Sequence, residues 1–280
     1  MRKYLKKWFV PFVLPTLTAF LIAFLIPFLS GIFLSFTSFT SVTDAKWVGF
    51  DNYLAAFSES DGFLHALGFT CLFTLVSVTT VNFFAFLLAL ALTKNRRLTN
   101  LFRSVFFLPN LIGGIVLGYI WQLIINGILL PFGRDITFSA KYGFWGLVVL
   151  TNWQLIGYMM ILYIAALQNI PPELHEAASI DGASSRQILR HIILPSVAPA
   201  FTICFFLTLT NSFKLFDQNL ALTNGAPGRE SAMLALDIYK TFYGRVGYEG
   251  VGQAKAVIFF LIVALLAGAE LFLTKKREKD

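Results

Sequence analysis

Six stretches of about twenty mostly apolar residues, near 10–36, 67–93, 104–125, 144–168, 196–217 and 251–273, constrain this chain more than any other feature. A helix needs about 20 residues to cross the hydrocarbon of a bilayer. Inside hydrocarbon every backbone N–H and C=O must find a partner within the protein, which leaves only helices and closed barrels. Stretches of that length predict an all-α integral membrane protein with six transmembrane helices. Composition agrees: 13% of residues are charged and 57% hydrophobic, where soluble domains carry about 25% charged. Pro11, Pro15, Pro27, Pro109 and Pro199 fall in or beside the spans, where neighbours can re-satisfy freed carbonyls. The first stretch follows Arg2, Lys3, Lys6 and Lys7, as a signal peptide would. It is too long for a signal h-region and has no small-x-small site after it, so an uncleaved first helix is expected.

An even number of spans puts both termini on one side, and the basic residues choose which. Fourteen Lys and Arg fall on one side: Arg2, Lys3, Lys6 and Lys7; Lys94, Arg96, Arg97 and Arg103; Arg186 and Arg190; Lys275, Lys276, Arg277 and Lys279. Six fall on the other, namely Lys46, Arg134, Lys141, Arg229, Lys240 and Arg245. The positive-inside bias therefore predicts cytoplasmic termini and a cytoplasmic 169–195 loop. It also accounts for the net charge of +7 without nucleic acid as a partner. The loops near 38–66, 126–143 and 218–250 are expected outside, with Trp47 and Trp145 as interfacial anchors against membrane lipid. Residues 1–66 form an N-terminal helix with the first extracytoplasmic loop, and 67–280 the remaining helices as a core. Cys71 and Cys204 lie within spans at different depths and predict neither disulfide nor metal.

The 169–195 loop is a polar, patterned segment in an apolar chain. Pro171-Pro172 stops helix four and suits the first turn of another helix. Glu173 and Glu176 then sit near its positive end, and Leu174, Ala177, Ala178 and Ile180 leave a small apolar face. Gly182 after Asp181 can turn the chain through positive φ. Ser184 or Ser185 can cap a second short helix carrying Ile188, Leu189, Ile192 and Ile193. Pro195 then marks entry to the fifth span. Taken alone, the pattern also fits an ordinary amphipathic pair capping a bundle.

Glu176-Ala177-Ala178, Gly182 and Ile192-x-Leu194-Pro195 together resemble the EAA loop of ATP-binding-cassette importer permeases. The likeness runs over nearly the whole chain and is to the carbohydrate-uptake, maltose-type branch. Val48-Gly49-Phe50-Asp51-Asn52-Tyr53 resembles its VGxxNY segment, and Ile164 to Pro171 its lead into the loop. Phe213-Lys214-Leu215-Phe216-Asp217 and Leu222-Thr223-Asn224-Gly225-Ala226-Pro227 resemble its FKxFD and LTxGGP segments. Two positions depart: Ala226 replaces a Gly, and Leu189 stands where an aromatic is usual. The resemblance implies a non-catalytic permease of a prokaryotic cytoplasmic membrane. Its implied partners are a second homologous permease, an ATPase dimer that uses ATP and Mg, and an extracytoplasmic solute-binding protein. It implies that Glu176, Ala177, Ala178, Asp181 and Gly182 form a coupling helix and turn, and that Ile192, Leu194 and Pro195 fix the loop to span five. The chain itself is implied to need no cofactor.

Polar groups inside spans are costly and tend to face a cavity or another helix. Sugars ask for aromatic faces and for amide or hydroxyl partners. Asn82, Trp121, Gln122, Asn152, Trp153, Gln154, Tyr158 and Asn211 are therefore substrate-path candidates, with Trp153, Gln154, Tyr158 and Asn211 ranked first. Interhelical hydrogen bonds explain such residues equally well. Lys214 and Asp217, three apart, are expected to form an ion pair. No GxxxxGK[ST] phosphate loop occurs, so the motor is expected on another chain. His65, His175 and His191 are scattered and predict no metal site, and no nucleophile–base pair predicts catalysis. The rival readings are an ion-coupled secondary transporter, a non-transporting scaffold, and a permease for another polar solute such as a glycerol phosphate. The charges near spans, Lys214, Asp217, Lys255 and Glu270, fall toward span ends, which argues against an ion relay.

Overall fold

The computed structural model describes residues 2–58, 62–93 and 98–277. Lys94, Arg96, Arg97 and Lys279, four of the basic residues that set the predicted orientation, lie outside the described residues, as does the side chain of Glu270. Six helices are long and apolar enough to cross a membrane: Pro11–Leu34, Phe63–Thr93, Gly114–Phe132, Ala140–Gln168, Ser185–Phe213 and Glu249–Ala269. These are spans one to six. By internal contacts the chain forms two units, Met1–Phe63 with Ile238–Leu261, and Leu64–Asp237 with Ile262–Asp280.

In the first unit, span one leaves most of its side chains open, Phe12 being 77% exposed, as a lipid-facing helix should. Beyond it, Thr37–Ser38 and Lys46–Trp47 form a minimal antiparallel hairpin. The helix Asp51–Ala56 is tied back by Asn52, whose Nδ2 donates to the Ser35 and Thr37 carbonyls at 2.9 and 2.8 Å. Tyr53 and Ser35 share a hydroxyl hydrogen bond of 2.7 Å. The Asn and Tyr of the VGxxNY-like segment are thus the clasp of this loop. Gly250, at the start of span six, lies against that clasp, where a Cβ would collide with the Thr37 carbonyl and Asn52. Lys255 is fully buried in this unit; its Nζ donates to Thr241 Oγ1 at 2.8 Å and sits 5.5 Å from the Phe63 ring centre.

In the second unit span four is the hub, with 61% of its most apolar stretch buried. One core joins Val81, Ala85 and Ala89 of span two to Met159, Met160, Tyr163 and Ile164 of span four and to Val197 and Cys204 of span five. A second gathers Phe73, Ile136, Phe144, Leu147, Leu150, Leu222 and Met233. Lipid tails are as apolar as leucine, so close packing and interhelical hydrogen bonds, averaging about 0.6 kcal/mol, hold such helices together. Asn82 supplies two of these bonds: its Nδ2 donates to Thr208 Oγ1 at 3.2 Å, and Tyr163 donates to its Oδ1 at 2.8 Å. Asn152 donates to Thr80 Oγ1 at 2.9 Å, and Gln122 to the Leu222 carbonyl at 2.9 Å.

Two boundaries differ from the sequence expectation. The third apolar stretch is broken: Thr99–Phe107 is a separate helix, Leu108–Leu111 a 3-10 turn, and span three starts only at Gly114. Pro109 has no N–H to give and sits in that turn, while Ile112 and Gly113 are extended. The short helix lies flat on span four at Gly157, where a Cβ would overlap the Phe106 carbonyl. Gly114 and Gly118, four apart on one face of span three, likewise admit Asp217 and Ala221 of the helix Asp217–Leu222. Span five, in turn, does not begin at Pro195 but at Ser185, so the expected second loop helix forms its first turns.

Candidate functional site

Two features carry chemistry. The first is the segment between spans four and five. Pro171 is extended (ψ 129) and Pro172 opens the helix Pro172–Ile180, with Glu173 in its first turn. The helix ends in a Schellman turn. Gly182 takes φ +77, its N–H bonds the Ser179 carbonyl at 3.2 Å, and the Ala183 N–H bonds the Ala178 carbonyl at 2.9 Å. These are the two bonds that a left-handed Gly permits at a helix end. Ser184 then begins span five through a capping box with Gln187.

The segment presents an open polar and apolar surface. Glu176, Ala177, Asp181 and Gly182 are exposed and Ala178 is half-buried. Ile180 is 86% and Leu174 46% exposed. Ile192 and Ile193 pack on the core shared by spans two, four and five, whereas Leu194 and Pro195 stay exposed. Between Leu189 and Ile193 span five winds as a π-helix, with the Leu194 N–H reaching back five residues to the Leu189 carbonyl.

The second feature is a recess of ≈ 420 Å³ lined by Asn110, Thr151, Gln154, Leu155, Asn211 and Lys214 through Gln218. Its wall is polar in a membrane-grade chain. Gln218 donates to Gln154 Oε1 at 2.8 Å, and Gln154 Nε2 faces the Ile112 carbonyl at 3.4 Å. The broken third stretch thus supplies Asn110 to the wall and, through the Ile112 carbonyl, a partner for Gln154. Lys214 and Asp217 both line the recess. The expected ion pair between them does not form; among the described residues the 4.0 Å pair is Arg229 with Asp237. A turn of 3.6 residues brings positions three apart onto one face only while the helix continues, and this helix ends at Phe213.

Of the four leading substrate-path candidates, the structure brings Gln154 and Asn211 to the recess. Trp153 is 44% exposed and meets Trp121 edge-on at 5.7 Å, and Tyr158 packs against the apolar core. Asn82, Gln122 and the Asn152 amide N–H are spent on the interhelical bonds described above. Residues the sequence reading missed are Asn110, Thr151 and Gln218. Gln218 directly follows the FKLFD segment, which was the available signal; Asn110 became visible only with the break at Pro109. Where Ala226 replaces Gly, the backbone φ is not positive, unlike Asn224, Gly225, Gly228 and Arg229 around it, so the Cβ is tolerated.

Six spanning helices, a polar recess among spans and a capped helix in a loop define a multi-pass membrane transport subunit. The family model of the binding-protein-dependent transport system inner membrane component matches residues 81–277, and the chain belongs to that family. It is 42% identical to the probable starch degradation products transport system permease protein AmyD of Thermoanaerobacterium thermosulfurigenes, covering 98% of this chain and 96% of that one. It is 30% identical to the multiple sugar-binding transport system permease protein MsmF of Streptococcus mutans, covering 99% of each. Among solved structures, a bacterial ABC transporter that imports the acidic polysaccharide alginate has a chain of the same fold. That match has a TM-score of 0.81 at 20% identity and covers 98% of both chains.

Proposed function

We propose that this chain is the membrane subunit through which a sugar or oligosaccharide, of the starch-derived kind, enters the cell on an ATP-driven importer. The observation that carries this reading is the 42% identity to a starch-products permease along essentially the whole chain. The recess supports it. Its volume falls within the roughly 300–1,000 Å³ of small-molecule sites, and its amides and hydroxyl suit the donors and acceptors of a sugar.

In this reading the chain hydrolyses nothing itself. A partner ATPase dimer binds ATP and Mg, an extracytoplasmic binding protein delivers the solute, and a second homologous permease completes the path. The termini and the Pro172–Ile180 helix face the cytoplasm. Glu176 meets a polar or basic group of the ATPase, Ala177 and Ala178 allow close approach, and Asp181-Gly182 makes the turn. Ile192 anchors the first turns of span five on the core, and Leu194 and Pro195 lie within that span. The exposed Leu174 and Ile180 support a docking role, because a helix end left with open apolar side chains gains from being covered.

The test is Gly182→Val, which places a β-branched residue at φ +77. The complex is expected to assemble and hydrolyse ATP while uptake of labelled maltotriose falls at least tenfold. Unchanged uptake with unchanged solute-stimulated hydrolysis would remove the loop's mechanical role.

A further inference from the structure

Hydroxyls on membrane helices commonly donate to the carbonyl one turn back, and many in this chain do. On span two, Thr70, Thr79, Thr80 and Thr93 bond Ala66, Leu75, Val76 and Ala89 at 2.6–2.8 Å. On span five, Thr208 and Thr210 bond Cys204 and Phe206 at 2.7 and 2.9 Å. Four buried hydroxyls do not: Thr74 and Ser77 on span two, Thr151 on span four and Ser212 on span five. They are between 0% and 7% exposed, and their oxygens meet no hydrogen-bond partner among the described residues. Asn152 Oδ1 is in the same condition.

Helix register puts Ser77, Thr151 and Ser212 in one layer, with Thr74 one turn beyond it. Successive spans alternate in direction, so spans two and five are antiparallel and spans two and four parallel. The Asn82–Thr208 bond fixes the first pair. One turn further along span five from Thr208 lies Ser212, level with the turn of span two that holds Ser77. The Asn152–Thr80 bond fixes the second pair and places Ser77 level with the turn of span four that carries Thr151, with Thr74 one turn further along span two. At about 100° per residue, Thr74 and Ser77 point between Thr80, which meets span four, and Asn82, which meets span five. Thr151 also lines the recess, so one end of the layer lies against it.

We propose that this layer is a water-binding site: a small cluster of ordered water between span two and the span four–five pair, continuous with the recess through Thr151. Each hydroxyl offers one donor and two acceptor sites, and a buried water typically takes about three such partners. The layer contains no carboxylate, so a cation stripped of its hydration would meet no countercharge there, whereas neutral water fits. A water-bridged seam also lets span two shift against its neighbours by exchanging waters, without stranding a buried polar group.

The sign of a stability change tests this. The intact protein, in the complex in which it is purified, is compared with Thr74→Val, Ser77→Ala, Ser212→Ala and the Ser77→Ala/Ser212→Ala pair. If water bridges the hydroxyls, each single change lowers the Tm by a few degrees. The pair then lowers it by less than the two together, because a water that has lost one anchor loses little more with the second. If the layer is dry, deleting an unpartnered buried hydroxyl leaves the Tm unchanged or raises it, and the proposal fails. A Tm that depends on Na⁺ against K⁺ at constant ionic strength would also overturn it, in favour of a cation. Should the variants not assemble, a high-resolution map of the unaltered protein decides. Solvent density within hydrogen-bond distance of two or more of these hydroxyls supports the site, and hydroxyls turned onto their own helix carbonyls overturn it.

Discussion

Gly157 shows how a single missing methyl group sets the shape of the recess. The short helix Thr99–Phe107 rests its last carbonyls on the bare backbone of span four there, where a Cβ would overlap the Phe106 carbonyl. That contact holds the chain entering the Pro109 turn, and so holds Asn110. Gly157→Ala is expected to cost about 1–3 kcal/mol, as overpacking does, seen as a lower thermal midpoint and a displaced 99–107 helix. Gly182 is the opposite case: it has nothing within 4 Å of where its Cβ would be, and only its φ of +77 demands glycine. Gly182→Ala should therefore destabilise the turn by about 1–2 kcal/mol, and Gly182→Asn by less, since Asn tolerates that region. Hydrogen exchange of the Gly182 and Ala183 amides would rank the two. Asp44 is a third residue with a defined task. It accepts from Thr40 Oγ1 at 2.6 Å, the Ser41 N–H at 2.9 Å and the Thr40 N–H at 3.0 Å. The Thr40 hydroxyl first, and then these amides, hold its carboxyl below the ordinary aspartate value. A depressed folded-state pKa stabilises the turn above the ordinary value and ceases to as pH falls through the depressed one. Carboxyl-carbon NMR of the labelled protein should show Asp44 titrating below the ordinary aspartate value, and Thr40→Val should raise it.

At the scale of elements, both π-helical segments have one cause. Leu21–Leu25 ends just before Pro27 and Leu189–Ile193 just before Pro195, and in each the intervening residue, Ile26 or Leu194, reaches back five residues for its carbonyl. A proline ring collides with the carbonyl four residues back, and one wide turn moves that carbonyl aside without ending the helix. Pro195→Ala removes the cause. The π turn should then relax to α-helix and rotate residues 184–193 by about 100° against the rest of span five. Spin-label distances from position 186 to position 210 would report it, and an unchanged distance would show that packing of Ile192 and Ile193, not the proline, keeps the turn wide. Here lies the limit of what the sequence made legible. The six spans, the Pro171-Pro172 start, the Asp181-Gly182 turn and the Ser184 cap could be read because each rests on local chemistry. The shift of span three from 104 to Gly114 could not, since hydropathy is blind to Pro109 and Gly113 inside an unbroken apolar run. Pro195 was read as a boundary because hydropathy does not register a π turn.

At the scale of the molecule, the recess divides the polar residues of the spans into two kinds. Asn82, Gln122 and Asn152 are committed to other helices and hold the bundle. Asn211, Lys214 and Asp217 stand where a solute could reach them, and Gln154 lines the same recess while bonded to Gln218 and the Ile112 carbonyl. Trp153 and Tyr158, attractive from sequence because sugars stack on aromatic faces, are turned to Trp121 and to the apolar core. On the proposed reading, transport should follow this division. Gln154→Leu and Asn211→Leu each delete one or two hydrogen bonds to a passing sugar, worth about 1.4 kcal/mol, which corresponds to a tenfold drop in uptake efficiency. Gln154→Leu should cost more of the two, because it also frees Gln218, which now donates to it. Trp153→Leu should stay within about twofold of the unaltered protein, since truncations at exposed positions rarely move more than 0.5 kcal/mol. Initial rates of labelled maltotriose uptake, normalised to the amount of chain in the membrane, would measure all three. A severe loss in Trp153→Leu with little change in Asn211→Leu would place the path along the Trp121–Trp153 face instead of the recess.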